Sequence, residues 1–166
     1  VALTRSKHPL IAGLMAGTLS VAMVSVALET LPIALGLIAG SALVWIVTGQ
    51  DERLRLRGFG AGLILGTVAF ALLDAPGMGA ARQVCDAFGR AHILMFLATG
   101  GAFISLSLLQ RLATSWQSRF VSAALEGALV LAFLALTARE CLSSPYGDVS
   151  DAAQSGWLSL VSEALP

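Results

Sequence analysis

PLIAGLMAGTLSVAMVSVALETLPIALGLIAGSALVWIVTG, residues 9–49, carries one charged side chain, Glu29, along its whole length. Glu29 and Thr30 divide it into two apolar stretches, Pro9–Leu28 and Leu31–Gly49. Each stretch is close to the ~20 residues that a helix needs to cross ~30 Å of hydrocarbon. The sequence therefore predicts a membrane-spanning helical hairpin. The first stretch is longer than the apolar core of a signal peptide, so we expect it to be retained as a helix.

Three further apolar stretches follow: Gly58–Leu73, Ala91–Leu109 and Phe120–Ala138. A segment in lipid must satisfy its backbone N–H and C=O groups internally, so apolar runs of this length are expected to be helices. Hydrophobic residues make up 57% of the 166-residue chain and charged residues 12%, which is too apolar for a small soluble domain with one core. The predicted fold class is all-α: a polytopic membrane protein with five transmembrane helices in residues 1–141.

The positive charges are divided unequally between the two sides of the predicted bundle, although the formal net charge is zero. If the N-terminus is cytoplasmic and five spans alternate, seven of the ten Lys and Arg residues face the cytoplasm. Short loops rich in Lys and Arg stay on that side of a membrane. We therefore expect a bacterial inner-membrane protein with a cytoplasmic N-terminus and a periplasmic or extracellular C-terminus. The seven are Arg5, Lys7, Arg53, Arg55, Arg57, Arg111 and Arg119, and the other three are Arg82, Arg90 and Arg139.

The chain has two cysteines, Cys85 in the third loop and Cys141 just after the fifth apolar stretch. The predicted topology places both outside the cytoplasm, where disulfides persist. We therefore predict a Cys85–Cys141 disulfide that ties this loop to the end of the last helix. Two unpaired thiols remain the alternative, because sequence alone does not show that the two Cα atoms lie within bridging distance.

Residues 142–166 form a predicted extracytoplasmic tail, in which Val149–Leu165 has the pattern of an amphipathic helix. Trp157, Leu160 and Val161 share its apolar face at helical spacing. The polar face has no Lys or Arg, so packing against the protein's own loops or a partner is favoured over binding to anionic lipid. These three residues are the candidate partner-docking positions. A frayed chain end is the alternative.

Glycine pairs recur at four-residue spacing in the first three predicted helices. Such pairs let two helix backbones approach closely, with dispersion contacts that lipid cannot match. Two interpretations remain open: internal packing of the five-helix bundle, or docking of another subunit on one of these faces. The pairs are Gly13 and Gly17, Gly36 and Gly40, and Gly62 and Gly66.

Glu126 is the ionisable residue that lies well inside a predicted span, about two turns from the inner end of the fifth helix. A carboxylate is costly there, so the group should be protonated, hydrogen-bonded or exposed to a water-filled cavity. Ser105 on the fourth helix and Ser41 on the second are candidate hydrogen-bond partners. A functional acid and a polar contact between helices are both compatible with the sequence.

The sequence contains no motif typical of an enzyme: no nucleophile elbow, no H-E-x-x-H and no phosphate-binding glycine loop. His8 and His92 are predicted to lie on opposite sides of the membrane, so they do not form one metal site, and no metal is expected. For His92 an interfacial hydrogen bond or an ion pair is favoured. Ligation of a pigment or haem there stays open, and no cofactor is assigned.

These observations favour a non-catalytic subunit or assembly factor of a larger bacterial membrane complex. Its expected partners are the lipid bilayer and other membrane subunits or further copies of the chain, and no nucleic acid. The alternative is a small transporter or channel component that uses Glu126 as a proton or cation site.

Overall fold

The computed structural model describes residues 7–73, 85, 88–110, 112–139 and 141. The secondary structure in this part of the chain is helical throughout, without strands. Five helices are long and apolar enough to cross a membrane, as the sequence predicts. They are α1, Pro9–Val26; α2, Leu31–Thr48; α3, Arg53–Leu73; α4, Arg90–Leu109; and α5, Trp116–Thr137. Short 3₁₀ turns at Leu28–Thr30 and Gly49–Glu52 lead into α2 and α3.

Two helices begin earlier than the apolar pattern predicts. Helix α3 starts at Arg53 rather than Gly58, since Arg and Leu are good helix formers and continue the helix beyond the apolar run. Helix α5 starts at Trp116 rather than Phe120, because the Ser115 hydroxyl caps it by accepting a hydrogen bond from the Ser118 N–H at 3.2 Å. Hydropathy marked the apolar part of each helix, whereas local capping and propensity decide where the helix begins.

Helices α1 and α3 run parallel and pack backbone to backbone through glycines. A Cβ added to Gly13 would lie 2.8 Å from the Phe59 N, and a Cβ on Gly17 would lie 2.8 Å from the Leu63 N. The Thr18 hydroxyl adds a hydrogen bond to the Gly62 carbonyl at 3.3 Å. No larger residue fits such an approach, so these glycines set the spacing of the two helices. On α3, Gly58 and Gly62 meet the α1 backbone in the same way.

Helix α4 runs antiparallel to α3 and completes a three-helix core. Gly60 and Gly100 face each other, and a Cβ on Gly60 would lie 2.6 Å from the Gly100 carbonyl oxygen. Beside them the rings of Phe59 and Phe103 pack at a centroid distance of 5.5 Å. Large side chains such as Phe96 are fully buried around this contact.

Helices α2 and α5 leave more apolar surface uncovered. Leu43 of α2 is 61% exposed and Leu136 of α5 is 86% exposed, and many other large apolar side chains share this condition. So many exposed large apolar side chains would be unfavourable in water. Five such helices are compatible with a membrane protein.

One end of the bundle contains the amino ends of α1, α3 and α5 and the carboxyl ends of α2 and α4. We call it the arginine end, because Arg53, Arg55, Arg57 and Arg119 lie there. Contacts between helix termini define it, among them Trp45 of α2 with Gln110 after α4.

The opposite end carries the disulfide predicted from the sequence. Cys85, which precedes α4, is bonded to Cys141, which follows α5, and their Cα atoms lie 5.1 Å apart. The prediction is confirmed. The predicted surface helix, with its docking candidates Trp157, Leu160 and Val161, lies outside the described residues.

Candidate functional site

A cleft of about 270 Å³ opens between α2 and the α1–α3 pair. Gly36 and Gly40 line its α2 wall, and an added Cβ on either would have no neighbour within 4 Å among the described residues. Gly36 and Gly40 therefore face open space. The other two glycine pairs identified in the sequence, Gly13 and Gly17 and Gly62 and Gly66, pack inside the bundle. The full lining is Gly13 and Ala16 of α1, Gly36, Leu37, Gly40, Ser41 and Val44 of α2, and Glu52, Arg55, Leu56 and Phe59 in and just before α3.

An ion pair closes the arginine end of this cleft. Arg55 donates to both carboxylate oxygens of Glu52, at 2.9 Å and 3.2 Å. Both side chains are largely buried, so each charge depends on the other for its stabilisation. The cleft is thus apolar and lined with small residues over most of its length, and the Glu52–Arg55 ion pair lies at its arginine end.

A second, more polar pocket of about 360 Å³ lies at the arginine end between α3 and α4, lined by Arg53, Arg57, Ser107 and Leu108. The Arg57 Nε donates to the Ser107 hydroxyl at 3.3 Å. That hydroxyl uses its own proton to bond the Ile104 carbonyl at 2.7 Å, so it can accept from Arg57. Ser107 therefore fixes one nitrogen of the Arg57 guanidinium at the edge of the pocket.

A buried polar contact joins the ends of α2 and α4. The Trp45 Nε1 donates to the Gln110 Oε1 at 3.3 Å, and Gln110 is only 3% exposed. The Gln110 Nε2 finds no hydrogen-bond partner in the part of the chain that the structure describes. The sequence offered little signal for this contact, since each residue is a lone polar group at the end of an apolar run.

Arg119 of α5 lies against the carboxyl end of α2. Its guanidinium occupies the space that a Cβ on Gly49 would need, and Gly49 has a φ of 73°. Both the positive φ and the close guanidinium favour glycine at this position. A cation at a helix carboxyl terminus is also favourable, because unpaired carbonyl groups point toward it.

The Ser105 hydroxyl on α4 donates to the Glu126 carboxylate on α5 at 2.5 Å. The structure thus brings together two of the three predicted intramembrane polar residues. Ser41 lies instead in the lining of the cleft, on α2. Glu126 is half-buried, and the two cavities described above are lined by other residues.

His92 makes a local contact in the first turn of α4. Its Nδ1 accepts a hydrogen bond from the Gly89 N–H at 3.5 Å, and its ring stacks near Phe88 at a centroid distance of 6.2 Å. Among the described residues, no three His, Cys, Asp or Glu side chains come close enough to hold a metal ion.

No protein-family model matches this chain, and no match is found among curated proteins or solved structures. The features that bear on function are the Gly36–Gly40 cleft, the pocket lined by Arg53 and Arg57, and the polar contacts between helices.

Proposed function

We propose that this protein is a non-catalytic subunit or assembly factor of a larger bacterial membrane complex, and that a transmembrane helix of a partner docks along the Gly36–Gly40 cleft. The observation that carries the proposal is the contrast between two sets of glycines. A Cβ added to Gly13 or Gly17 would meet the α3 backbone, whereas a Cβ added to Gly36 or Gly40, at the same spacing, would meet no described residue within 4 Å.

Uncovered glycines in mid-helix have a cost in the isolated chain. Glycine lowers helix stability by roughly 0.5–1 kcal/mol relative to alanine, so two of them on one face need a compensating contact. A partner helix supplies one, because small residues let its backbone approach and its larger side chains enter the cleft. The apolar lining suits such side chains, and the Glu52–Arg55 pair lets the cleft end without an unpaired charge.

The orientation we propose has the arginine end in the cytoplasm and the disulfide on the other side. Lys and Arg in short loops favour the cytoplasmic side, and disulfides persist in an oxidising compartment such as the periplasm. Arg53, Arg55, Arg57 and Arg119 lie at one end of the bundle and Cys85–Cys141 at the other, so both rules support the same orientation.

The alternative proposal is a small transporter or channel component that uses Glu126. A half-buried carboxylate in mid-helix favours it, since ionisable groups at such depth often serve transport. The Ser105 contact supports the subunit proposal more, because it gives this carboxylate a structural role between α4 and α5.

Native mass spectrometry after extraction in a mild detergent tests the proposal. We expect the wild-type chain to co-purify with a different polypeptide. Gly36→Leu and Gly40→Leu should release that polypeptide without lowering the thermal unfolding midpoint, since both positions have room for a side chain. Gly101→Leu and Gly127→Leu are matched controls on α4 and α5, where an added Cβ also meets no described residue within 4 Å.

Two outcomes would overturn the subunit proposal. One is a wild-type chain that is found alone or only as a homo-oligomer, which would favour the transporter alternative. The other is a partner that stays bound to the cleft variants as firmly as to the control variants, which would place the docking face elsewhere.

A further inference from the structure

We propose that the pocket formed by Arg53, Arg57 and Ser107 binds the phosphate of an anionic phospholipid at the arginine end of the bundle. The inference rests on the proposed membrane location, but not on the partner or on the Gly36–Gly40 cleft. A phosphodiester and a pair of arginines are chemically matched, because planar guanidinium groups bind phosphate oxygens with two parallel hydrogen bonds.

Helix geometry separates these two arginines from the ion-paired one. Arg53 and Arg57 are four residues apart in α3, so they share one face and line the same pocket of about 360 Å³. Arg55, two residues from each, points to the opposite side of α3, where it is bonded to Glu52 in the cleft.

The two arginines of the pocket, Arg53 and Arg57, lack an ion-pair partner within the part of the chain that the structure describes. Ser107 fixes the Arg57 Nε at 3.3 Å. Among the described residues, the Arg57 Nη groups have no hydrogen-bond partner. A pre-oriented guanidinium loses less conformational freedom when it binds an anion.

The position of the pocket favours a lipid over a soluble phosphate. Arg53 is the first residue of α3, and Leu108 lies in the last turn of α4, so the pocket is at the level where the two spans end. Leu108 is 60% exposed beside it, and its apolar side chain can contact the first part of an acyl chain. Basic pockets between helix ends on the cytoplasmic side are typical sites for anionic head groups. Two arginines that form no ion pair among the described residues also disfavour the ammonium of a zwitterionic head group.

Delipidated protein, titrated in detergent and followed by native mass spectrometry, tests the inference. The probes are phosphatidylglycerol, phosphatidylethanolamine and inorganic phosphate, each added separately. We expect phosphatidylglycerol to bind wild type more tightly than phosphatidylethanolamine, and inorganic phosphate not to bind. Each arginine near an anionic head group contributes about a fivefold change in affinity, so Arg53→Gln/Arg57→Gln should bind phosphatidylglycerol about thirtyfold more weakly.

Three further variants separate the effect of charge from that of arginine geometry. Lys7→Gln removes a cation from an exposed position before α1 and should bind like wild type. Arg53→Lys/Arg57→Lys keeps the charge and should retain part of the binding. Ser107→Ala leaves both arginines in place, and we expect a loss of about threefold, because the Arg57 guanidinium is then less fixed.

The inference is overturned if wild type binds the two lipids equally, a comparison that needs no variant to fold. It is also overturned if the double glutamine variant folds and binds phosphatidylglycerol like Lys7→Gln. Binding of inorganic phosphate as tight as that of the lipid would assign the pocket to a soluble anion instead. Because the measurement uses the purified chain, its failure is distinguishable from loss of the co-purifying partner.

Discussion

The hydroxyl of Ser105 donates a hydrogen bond to the carboxylate of Glu126 and so joins α4 to α5. Most of the large apolar side chains of α5, such as Leu125 and Leu129, are exposed. A carboxylate among apolar helices is unfavourable unless it has a hydrogen-bond donor, so this contact holds the position of α5 and also stabilises the acid.

Replacing Ser105 by alanine should lower the free energy of unfolding by about 1–3 kcal/mol, because Glu126 would lose its donor. Thermal unfolding in detergent measures the effect. Ser25→Ala is the matched control, since the Ser25 hydroxyl bonds the Ala22 carbonyl in its own helix. A Ser105 variant no less stable than the Ser25 variant would contradict the structural role.

Glu126→Gln separates the subunit proposal from the transporter alternative. Glutamine keeps an oxygen that can accept from Ser105, so the variant should unfold within about 1 kcal/mol of wild type and keep its partner. Coupled transport through the carboxylate would instead stop. Proton or cation flux in proteoliposomes is the measurement, and loss of a wild-type flux in the variant would support transport.

Adding a methyl group at Gly13 should push α1 away from α3. The new Cβ of Gly13→Ala would lie 2.8 Å from the Phe59 N and closer still to the Arg55 carbonyl oxygen, and backbone atoms cannot move aside as a side chain can. We expect a loss of about 1–3 kcal/mol in unfolding free energy, typical of an overpacked contact. Gly101→Ala, which meets nothing within 4 Å, should be neutral or slightly stabilising. Equal effects of the two substitutions in thermal unfolding would show that the α1–α3 approach is not tight.

Five long apolar helices and the Cys85–Cys141 bridge were predictable from sequence, because a helix that crosses a bilayer needs about 20 apolar residues and the predicted topology places both cysteines on one side. The separate roles of Gly13 and Gly36 were not. Both belong to glycine pairs with the same spacing, and spacing describes one helix without saying which neighbour it faces. The Gly60–Gly100 contact and the Arg53–Arg57 pocket were missed for the same reason, since each needs the register between α3 and α4.

The disulfide predicts a simple labelling result. Cys85 and Cys141 should both resist a thiol reagent in the unfolded, unreduced protein, and both should react after reduction. Cys85→Ser should free Cys141 for labelling and destabilise the protein by about 2–4 kcal/mol. Without the bridge, the unfolded chain is no longer closed into a long loop and gains conformational entropy. Labelling of both cysteines in wild type without reductant would contradict the bridge.

The Trp45–Gln110 contact should behave as a coupled pair. Trp45→Phe keeps most of the buried aromatic volume but removes the indole N–H, leaving the Gln110 Oε1 without its donor inside the bundle. We expect this variant to lose about 1–3 kcal/mol in unfolding free energy. Adding Gln110→Leu should recover a large part of that loss, because an apolar pair of similar size leaves no buried polar group unsatisfied. Thermal unfolding of both single variants and the double variant measures the coupling. Strictly additive losses would show that the two side chains act independently, and the hydrogen bond would then contribute nothing to holding α2 against α4.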